Sequence, residues 1–313
     1  PDLFPTPTDF TASRLTESPR LLRELFEKNV LEVKLEEVIP NLPTTTPDPT
    51  QNLFNAVAVR FHPKHRTLYQ RVHDCEDKKL RPPDKLRLLL RACMHPNGVR
   101  KDLPSGVRVD DIDFDDWELS SKLVWLKDLI DKNPRAKVVI GTGIYIQDIT
   151  QQADSETVTA ELEEEERPWV AQKLREWYGD EAVVVIDGSV AIGRERDRRI
   201  DLWRRHAKTR VLLVSMPAVP DSMDLTVPAM EGLDELIVTS ICSPWKPWKQ
   251  FLGRFRRPEQ GLPIRFFTPI LADTVDEDLL RYNQGKWDAL QLFRAVPLTN
   301  AEAELAFSPS PST

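Results

Sequence analysis

The hydrophobic positions follow two regimes that meet near residue 120. Downstream of it, short continuous apolar runs recur at 137–140 (KVVI), 183–186 (VVVI), 211–214 (VLLV), 236–241 (LIVTSI) and 264–267 (IRFF). Runs of this length, rich in β-branched residues and without alternation, suit strands buried on both faces, as in a parallel sheet. Between them, residues 122–131, 169–178, 194–206 and 246–256 carry helical spacing, and a last helix over 275–286 covers one edge. Strand and helix in alternation predict an α/β fold with a doubly wound parallel sheet. Ligands of such sheets gather beyond the carboxyl ends of the strands. The loops 141–143, 187–189, 215–226 and 243–247 are therefore the places to look for chemistry.

Upstream, Leu21, Leu22, Leu25 and Phe26 give 18–33 the spacing of a helix, and PNLPTTTPDPT at 40–50 reads as an extended linker rather than a packed element. Residues 55–61 (NAVAVRF) alternate like a strand. Segments 63–73 and 83–94 read as helices, each opened by a proline, which a first turn tolerates. The acidic stretch 151–168 is too long for an ordinary connection and reads as a mobile insertion. The tail, 301–313, ends in FSPSPST and reads as disordered.

Composition narrows the classes. Of 313 residues, 40% are apolar and 30% charged, which suits a soluble chain with a real core. No run approaches the roughly 18 apolar residues that would span a bilayer, and the opening PDLFPTPTDF has no leader pattern, so an intracellular protein without a membrane partner is expected, in a bacterial cytoplasm or nucleoid or a eukaryotic nucleus. Cys75, Cys93 and Cys242 are dispersed, with no C-x-x-C pair and no clustered histidines. Buried free thiols are expected, and neither a disulfide framework nor a metal site. The net charge of −7 conceals an asymmetry, with acid at 110–116 and 161–166 and base at 194–210 and 246–265. A local basic face is what phosphate contact requires, although such runs also serve as solvated helix faces.

The segment 250–260, QFLGRFRRPEQ, is the most specific. It places Arg254 and Arg257 three apart on one helical face after Gln250 and Gly253. A guanidinium stays charged and offers a planar fork that fits phosphate oxygens, whereas lysine is a point charge. A solvated basic helix end is the alternative. No G-x-x-x-x-G-K-[ST] loop is present: Gly285-Lys286 lacks the upstream glycine. Asp234-Glu235 precedes a strand instead of closing one, and 276–278 (DED) reads as charge at a helix N-terminus. Gly141-Thr142-Gly143 has no third glycine, which argues against a dinucleotide-binding oxidoreductase.

Taken in order, these pieces resemble the second RecA-like lobe of a superfamily 2 helicase, of the Swi/Snf-type DNA-dependent ATPases. Gln250, Gly253, Arg254, Arg257 and Gln260 match the final family motif. Pro244, Trp245 and Pro247 match the preceding signature, with Lys246 where the family has asparagine. Asp187-Gly188-Ser189 matches the Asp-Gly-Ser turn, and Ser215 closes the strand leading into the fifth motif. Ser121-Lys122-Leu123 resembles the opening of the lobe. Further upstream, Phe61-His62-Pro63 with Leu68 and Tyr69 is similar to the family's strand and Leu-Tyr helix. The segment 89–96 (LLRACMHP) is similar to its Leu-Arg-x-x-Cys-x-His-Pro stretch, which makes His95 a structural helix end.

The resemblance implies a RecA-like lobe at 119–300 interrupted by the insertion at 151–168. It is preceded by a mostly helical segment at 55–118 that leads to a first lobe absent from this chain, and by the helix and linker of 1–54. It implies that Arg254 and Arg257 act as arginine fingers on ATP, with Gln250 and Gly253 beside the nucleotide. ATP and Mg²⁺ would be held mainly by the first lobe, in the same or another polypeptide. Double-stranded DNA would be contacted by Asp187, Gly188, Ser189, Ser215, Trp245 and Lys246, and a protein substrate would be a further partner. The chain alone is expected to be inactive. The fifth motif departs from the family: 218–225 reads AVPDSMDL, with Val219, Pro220 and Ser222 in place of three glycines and Asp224 adding repulsion toward phosphate. That change opens the alternative of a degenerate lobe acting as a DNA- or protein-binding regulatory module without ATPase coupling.

Overall fold

The apolar runs form the sheet. A computed structural model of the chain describes residues 43–49, 54–75, 81–100, 102–142, 169–188, 190, 193–216, 219, 223–242 and 245–295. Its strands are β1 (Thr45–Thr46), β2 (Ala56–Val59), β3 (Ala136–Thr142), β4 (Val183–Ile186), β5 (Val211–Ser215), β6 (Glu235–Cys242) and β7 (Ile264–Leu271). The helices are α1 (Pro63–His73), α2 (Pro82–Met94), α3 (Ser121–Lys132), α4 (Trp169–Tyr178), α5 (Arg194–Arg205), α6 (Trp245–Gly253) and α7 (Val275–Ala295). The predicted helix at 18–33, the acidic insertion and the tail lie outside the described residues.

All pairings in the sheet are parallel, in the order β1-β7-β6-β3-β5-β4, with β2 also on β7. This is the expected doubly wound architecture: β3 lies at the centre, with β4 and β5 to one side of it and β6 and β7 to the other. Strands β3, β4 and β5 are buried along their whole length, which is why they read as unbroken apolar runs. One face is sealed by α3 and α4, whose Leu123, Leu126, Ile130, Val170 and Leu174 pack with Val138, Ile140, Val185 and Leu213. Each such side chain contributes about 1.5–3 kcal/mol by leaving water. On the other face α6 brings Trp248 against Phe251 and Phe266.

The 40–50 segment differs from the linker expected of it. Thr45–Thr46 adds to the sheet beside Ile264 and Arg265, and the Ile264 amide donates to the Thr44 carbonyl at 2.8 Å. Proline and threonine in a row imitate a free linker, and the partner strand more than 200 residues away is what fixes them. Likewise 55–61 does more than connect, since β2 pairs with Thr268–Leu271. Residues Asn41–Leu280 accordingly form one compact unit; the other is Pro1–Pro40 with Arg281–Thr313, of which only the distal part of α7 is described.

Lys137 was read as the first residue of an apolar run, and it is wholly buried in β3. Its ammonium donates to the carbonyls of Trp203, His206 (2.9 Å) and Thr209 (2.9 Å), and lies 5.2 Å from the centre of the Trp203 ring. A lysine thus closes the C-terminal end of α5, where carbonyls lack helical partners and the helix dipole favours a cation. Burial lowers its pKa to about 8.

The helices α1 and α2 pack on the start of α3 through a polar knot. His65 Nε2 bonds the Ala92 carbonyl at 2.6 Å, and Nδ1 accepts from the Ser121 amide at 3.3 Å. His95 is a structural helix end, as expected: it follows α2, is fully buried, and its Nδ1 accepts from the Gly98 amide at 3.1 Å. Burial lowers the pKa of His65 to about 4 and that of His95 to about 3. Both are neutral in the fold and charge more readily once unfolded. Their contribution is therefore complete above the ordinary histidine pKa and is lost as pH falls toward 4. Each histidine should cost the folding equilibrium up to roughly tenfold per pH unit in that window. Urea midpoints measured from pH 7 to pH 4 should show this slope, and it should flatten in His65→Gln; an equally steep slope in that variant would reject the assignment.

Candidate functional site

Helix α6, which leads into the arginine segment, begins just after β6 ends, at the carboxyl edge of the sheet. Helix α6 stops at Gly253, three residues earlier than its spacing suggested. The amides of Arg254 and Phe255 reach back only to Phe251 and Leu252, at 3.0 and 3.1 Å, so the last turn tightens, and Pro258 prevents the helix from resuming. Arg254 and Arg257 therefore do not share a helical face. Arg254 is buried, 7% exposed, and engaged within the fold. Arg257 is half-buried, and among the described residues its guanidinium has no hydrogen bond or ion pair.

Of the five motif residues, three are turned outward. Gln250 is exposed, Gly253 is exposed with nothing within 4 Å of where a Cβ would stand, and Arg257 is accessible. The fold itself has no need of a glycine at 253. Two residues are turned inward, Arg254 and Gln260. Gln260 accepts from the Val227 amide and donates to the Leu262 carbonyl, both at 2.8 Å, while Gly261 donates to the Val227 carbonyl at 2.8 Å. The closing glutamine of the motif thus holds residues 226–229 against the arginine turn.

Gly261 makes that approach feasible. A Cβ there would stand 2.0 Å from the Ala229 nitrogen and 2.7 Å from the Pro228 carbonyl carbon. Both are backbone atoms that cannot swing away. Gly261→Ala should destabilise the fold by about 1–3 kcal/mol or more through forced displacement of this segment. Thermal melts would read it, and an unchanged midpoint would mean that 226–229 is not seated here.

At the other end of the sheet edge, Asp187 is only 5% exposed and engaged inside the fold, which removes its carboxylate from the outward face expected of it. Its carbonyl and that of Val190 accept from Arg196 at 3.4 and 2.6 Å, so a buried arginine from α5 shapes the turn and leaves Gly188 exposed. Ser189 lies outside the described residues, as do the side chains of Trp245 and Lys246, whose backbones open α6. Ser215 is fully buried at the end of β5, beside Thr142 of β3, and its hydroxyl has no partner among the described residues.

Of the fifth-motif loop, residues 215–216, 219 and 223–226 are described. Met216 at its start packs, with Phe251 of α6, onto Gly141 of β3: a Cβ at that glycine would meet Phe251 at 3.0 Å and Met216 at 3.3 Å. At its far end Asp224 is not a free charge facing phosphate. Its carboxylate pairs with Arg204 at 2.9 Å and accepts from the Thr226 amide at 2.9 Å and the Thr226 hydroxyl at 3.0 Å. The expected repulsion is corrected accordingly: the charge is neutralised within the fold. Nothing in the local sequence signalled this, because Arg204 lies 20 residues upstream at the end of another helix.

Of the thiols, Cys93 is buried as expected, whereas Cys75 is half-exposed; the Cys242 side chain lies outside the described residues. No group of three or more His, Cys, Asp or Glu among the described residues is placed to hold a metal ion. No helix among them is long and apolar enough to cross a membrane.

No protein-family model and no curated protein matches the sequence. Solved structures do. The C-terminal part of the Fun30 ATPase domain superposes with a TM-score of 0.52 at 14% identity, over 85% of this chain and 97% of that one. The fold is RecA-like. Two structures of the Sulfolobus solfataricus SWI2/SNF2 ATPase core align less closely. The first, in complex with dsDNA, gives a TM-score of 0.47 at 14% identity over 93% of this chain and 56% of that one. The second gives 0.45 at 12% identity over 82% and 48%. This lobe thus spans about half the length of those two cores. Its arginine segment carries the outward Gln250, Gly253 and Arg257.

Proposed function

We propose that the chain is the C-terminal motor lobe of an ATP-dependent double-stranded DNA translocase, offering Arg257, with Arg254 behind it, to ATP held on a first RecA-like lobe in the same or another polypeptide. The observation that carries this reading is the open guanidinium of Arg257, in one segment with the exposed Gln250 and the bare backbone of Gly253. ATP with magnesium, bound across the cleft, would supply the phosphoryl group and the charge to be stabilised. No ion pair has to break before Arg257 reaches phosphate oxygens, so it acts as a pre-set fork. Gly253 lets the facing lobe approach the backbone, and Gln250 offers an amide at the rim. Arg254, buried, sets the shape of the turn. Magnesium coordination falls to the partner lobe.

DNA contact is assigned to the turn at Gly188 and Ser189 and to the start of α6 at Trp245 and Lys246, with Asp187 and Ser215 supporting from within. Contacts of this kind fall on the phosphate backbone, without sequence preference, and weaken with salt. A second reading, a regulatory module that binds DNA or protein without turnover, is favoured by Val219, Pro220 and Ser222 in the fifth motif. Proline there fixes φ and removes a donor, and valine takes left-handed backbone conformations only at a cost.

The two are separated by joining the chain to a first lobe that carries a phosphate-binding loop, then measuring DNA-stimulated ATP hydrolysis and triplex displacement. The motor reading expects both, and expects no hydrolysis by the chain alone. DNA binding with neither stimulated hydrolysis nor displacement selects the regulatory module, and absence of any response to DNA overturns the motor reading.

A further inference from the structure

The departures in the fifth motif suggest that the arginine segment has lost its mechanical link to the DNA-facing side of the lobe. The hydrogen bonds describe a different link. Near the start of α5, Arg196 holds the Asp187 and Val190 carbonyls. In the last turn of the same helix, Arg204 donates Nε to the Thr226 carbonyl at 2.6 Å and Nη2 to the Thr226 hydroxyl at 3.1 Å and to Asp224 at 2.9 Å. The next residue, Val227, donates its amide to the Gln260 side chain and accepts from the Gly261 amide. The Gln260 amide in turn donates to the Arg257 carbonyl at 3.0 Å.

We propose that Arg204 is a positioning residue which ties the turn at Asp187 and Gly188 to the Arg257 segment through α5, by a route that does not pass through the glycine-poor positions 219–222. The inference rests on the roles proposed for the two ends, while the route itself rests on bonds alone. Three properties suit it to carry displacement. The twelve residues of α5 make a stiff rod about 18 Å long. The fork of Arg204 reaches three acceptors on two residues, which fixes direction as well as distance, and lysine could not do the same. Thr226 is fully buried and Gln260 nearly so, and loss of any of these bonds strands a polar group away from water. Asp224 and Thr226, which carry this route, follow the altered positions 219–222 in the chain.

Physical continuity alone does not establish coupling, and the test is whether a change at one end is felt at the other. Hydrogen exchange of the full chain, read by mass spectrometry, compares the natural protein with Arg204→Met, Arg204→Lys, Gln260→Met and the double variant Arg204→Met with Gln260→Met. Arg204→Met should speed exchange of the Thr226, Val227, Gln260 and Gly261 amides by about tenfold or more, with Val138, Leu212 and Ile237 unchanged. Arg204→Lys should fall between, because it keeps the charge beside Asp224 and loses the fork. The double variant should exchange at Val227 and Gly261 no faster than the more severe single one, since both cut a single route. Acceleration confined to 224–226, with 257–261 at its natural rate, would overturn the proposal. Should Arg204→Met fail to fold, Asp224→Asn carries the same comparison with the same two outcomes. These rates are read without ATP, DNA or a partner lobe. A failure here leaves the role of Arg257 in hydrolysis standing, and a failure of that role leaves the exchange result intact.

Discussion

Arg257→Ala in the assembled two-lobe motor is expected to lower kcat for ATP hydrolysis by about a thousandfold or more while the lobe melts at its natural temperature. The two parts of that expectation come from one observation. Arg257 has no partner within the described residues, so its removal leaves no buried group unpaired and opens no cavity in the core. The charge it would place against a phosphoryl group in flight has no substitute among its neighbours. Arg257→Lys should recover little, because a point charge cannot reproduce the planar fork. Arg254→Ala is the instructive contrast. With Arg254 buried and engaged, its loss should lower both turnover and melting temperature, which separates a residue that shapes the turn from one that faces the nucleotide. Turnover and thermal melts on the same preparations decide it. Undiminished hydrolysis in Arg257→Ala would remove the finger assignment.

The second large effect is expected at Lys122, the residue after the serine that opens α3. Its ammonium lies 2.5 Å from Asp276, with the two side chains 1% and 5% exposed. Asp276 also accepts from the Leu271 amide at 3.4 Å and stands in the first turn of α7, where the helix dipole favours a carboxylate. Two charges so deeply placed are stable only together. Lys122→Ala would strand the carboxylate and should cost about 3–5 kcal/mol. Replacing both by apolar residues of similar volume should cost much less, because the desolvation of both charges is then avoided. A chemical-denaturation cycle over the two single variants and the double variant would measure the difference. A loss in the double variant equal to the sum of the two single losses would show that the two side chains are not coupled.

The sheet was legible in the sequence because its central strands are buried on both faces, so their apolar runs stand out from the amphipathic helices between them. Ends were legible where an unambiguous signal stood, as with the prolines opening α1 and α2. What escaped depended on distant partners. Thr45 and Thr46 gain strand character only from β7, and Lys137 finds its acceptors at the end of α5. The site shows the same division. Residue types and spacing located the arginine segment, yet they could not tell that α6 ends at Gly253, and so could not tell Arg254 from Arg257. Asp224 was misjudged because charge is read locally in a sequence and neutralised globally in a fold.

Strands β1 and β2 lie end to end along one side of β7, the first beside Ile264 and Arg265 and the second beside Thr268–Leu271. At the opposite margin, Arg199 donates to the Val185 carbonyl of β4. A parallel sheet with bare margins is a template on which other chains can stack. Strands β1 and β2 therefore act as a hem for this protein. A trimmed version starting at Phe61 would keep every residue of the arginine segment and still expose the eight-residue flank of β7 to self-association.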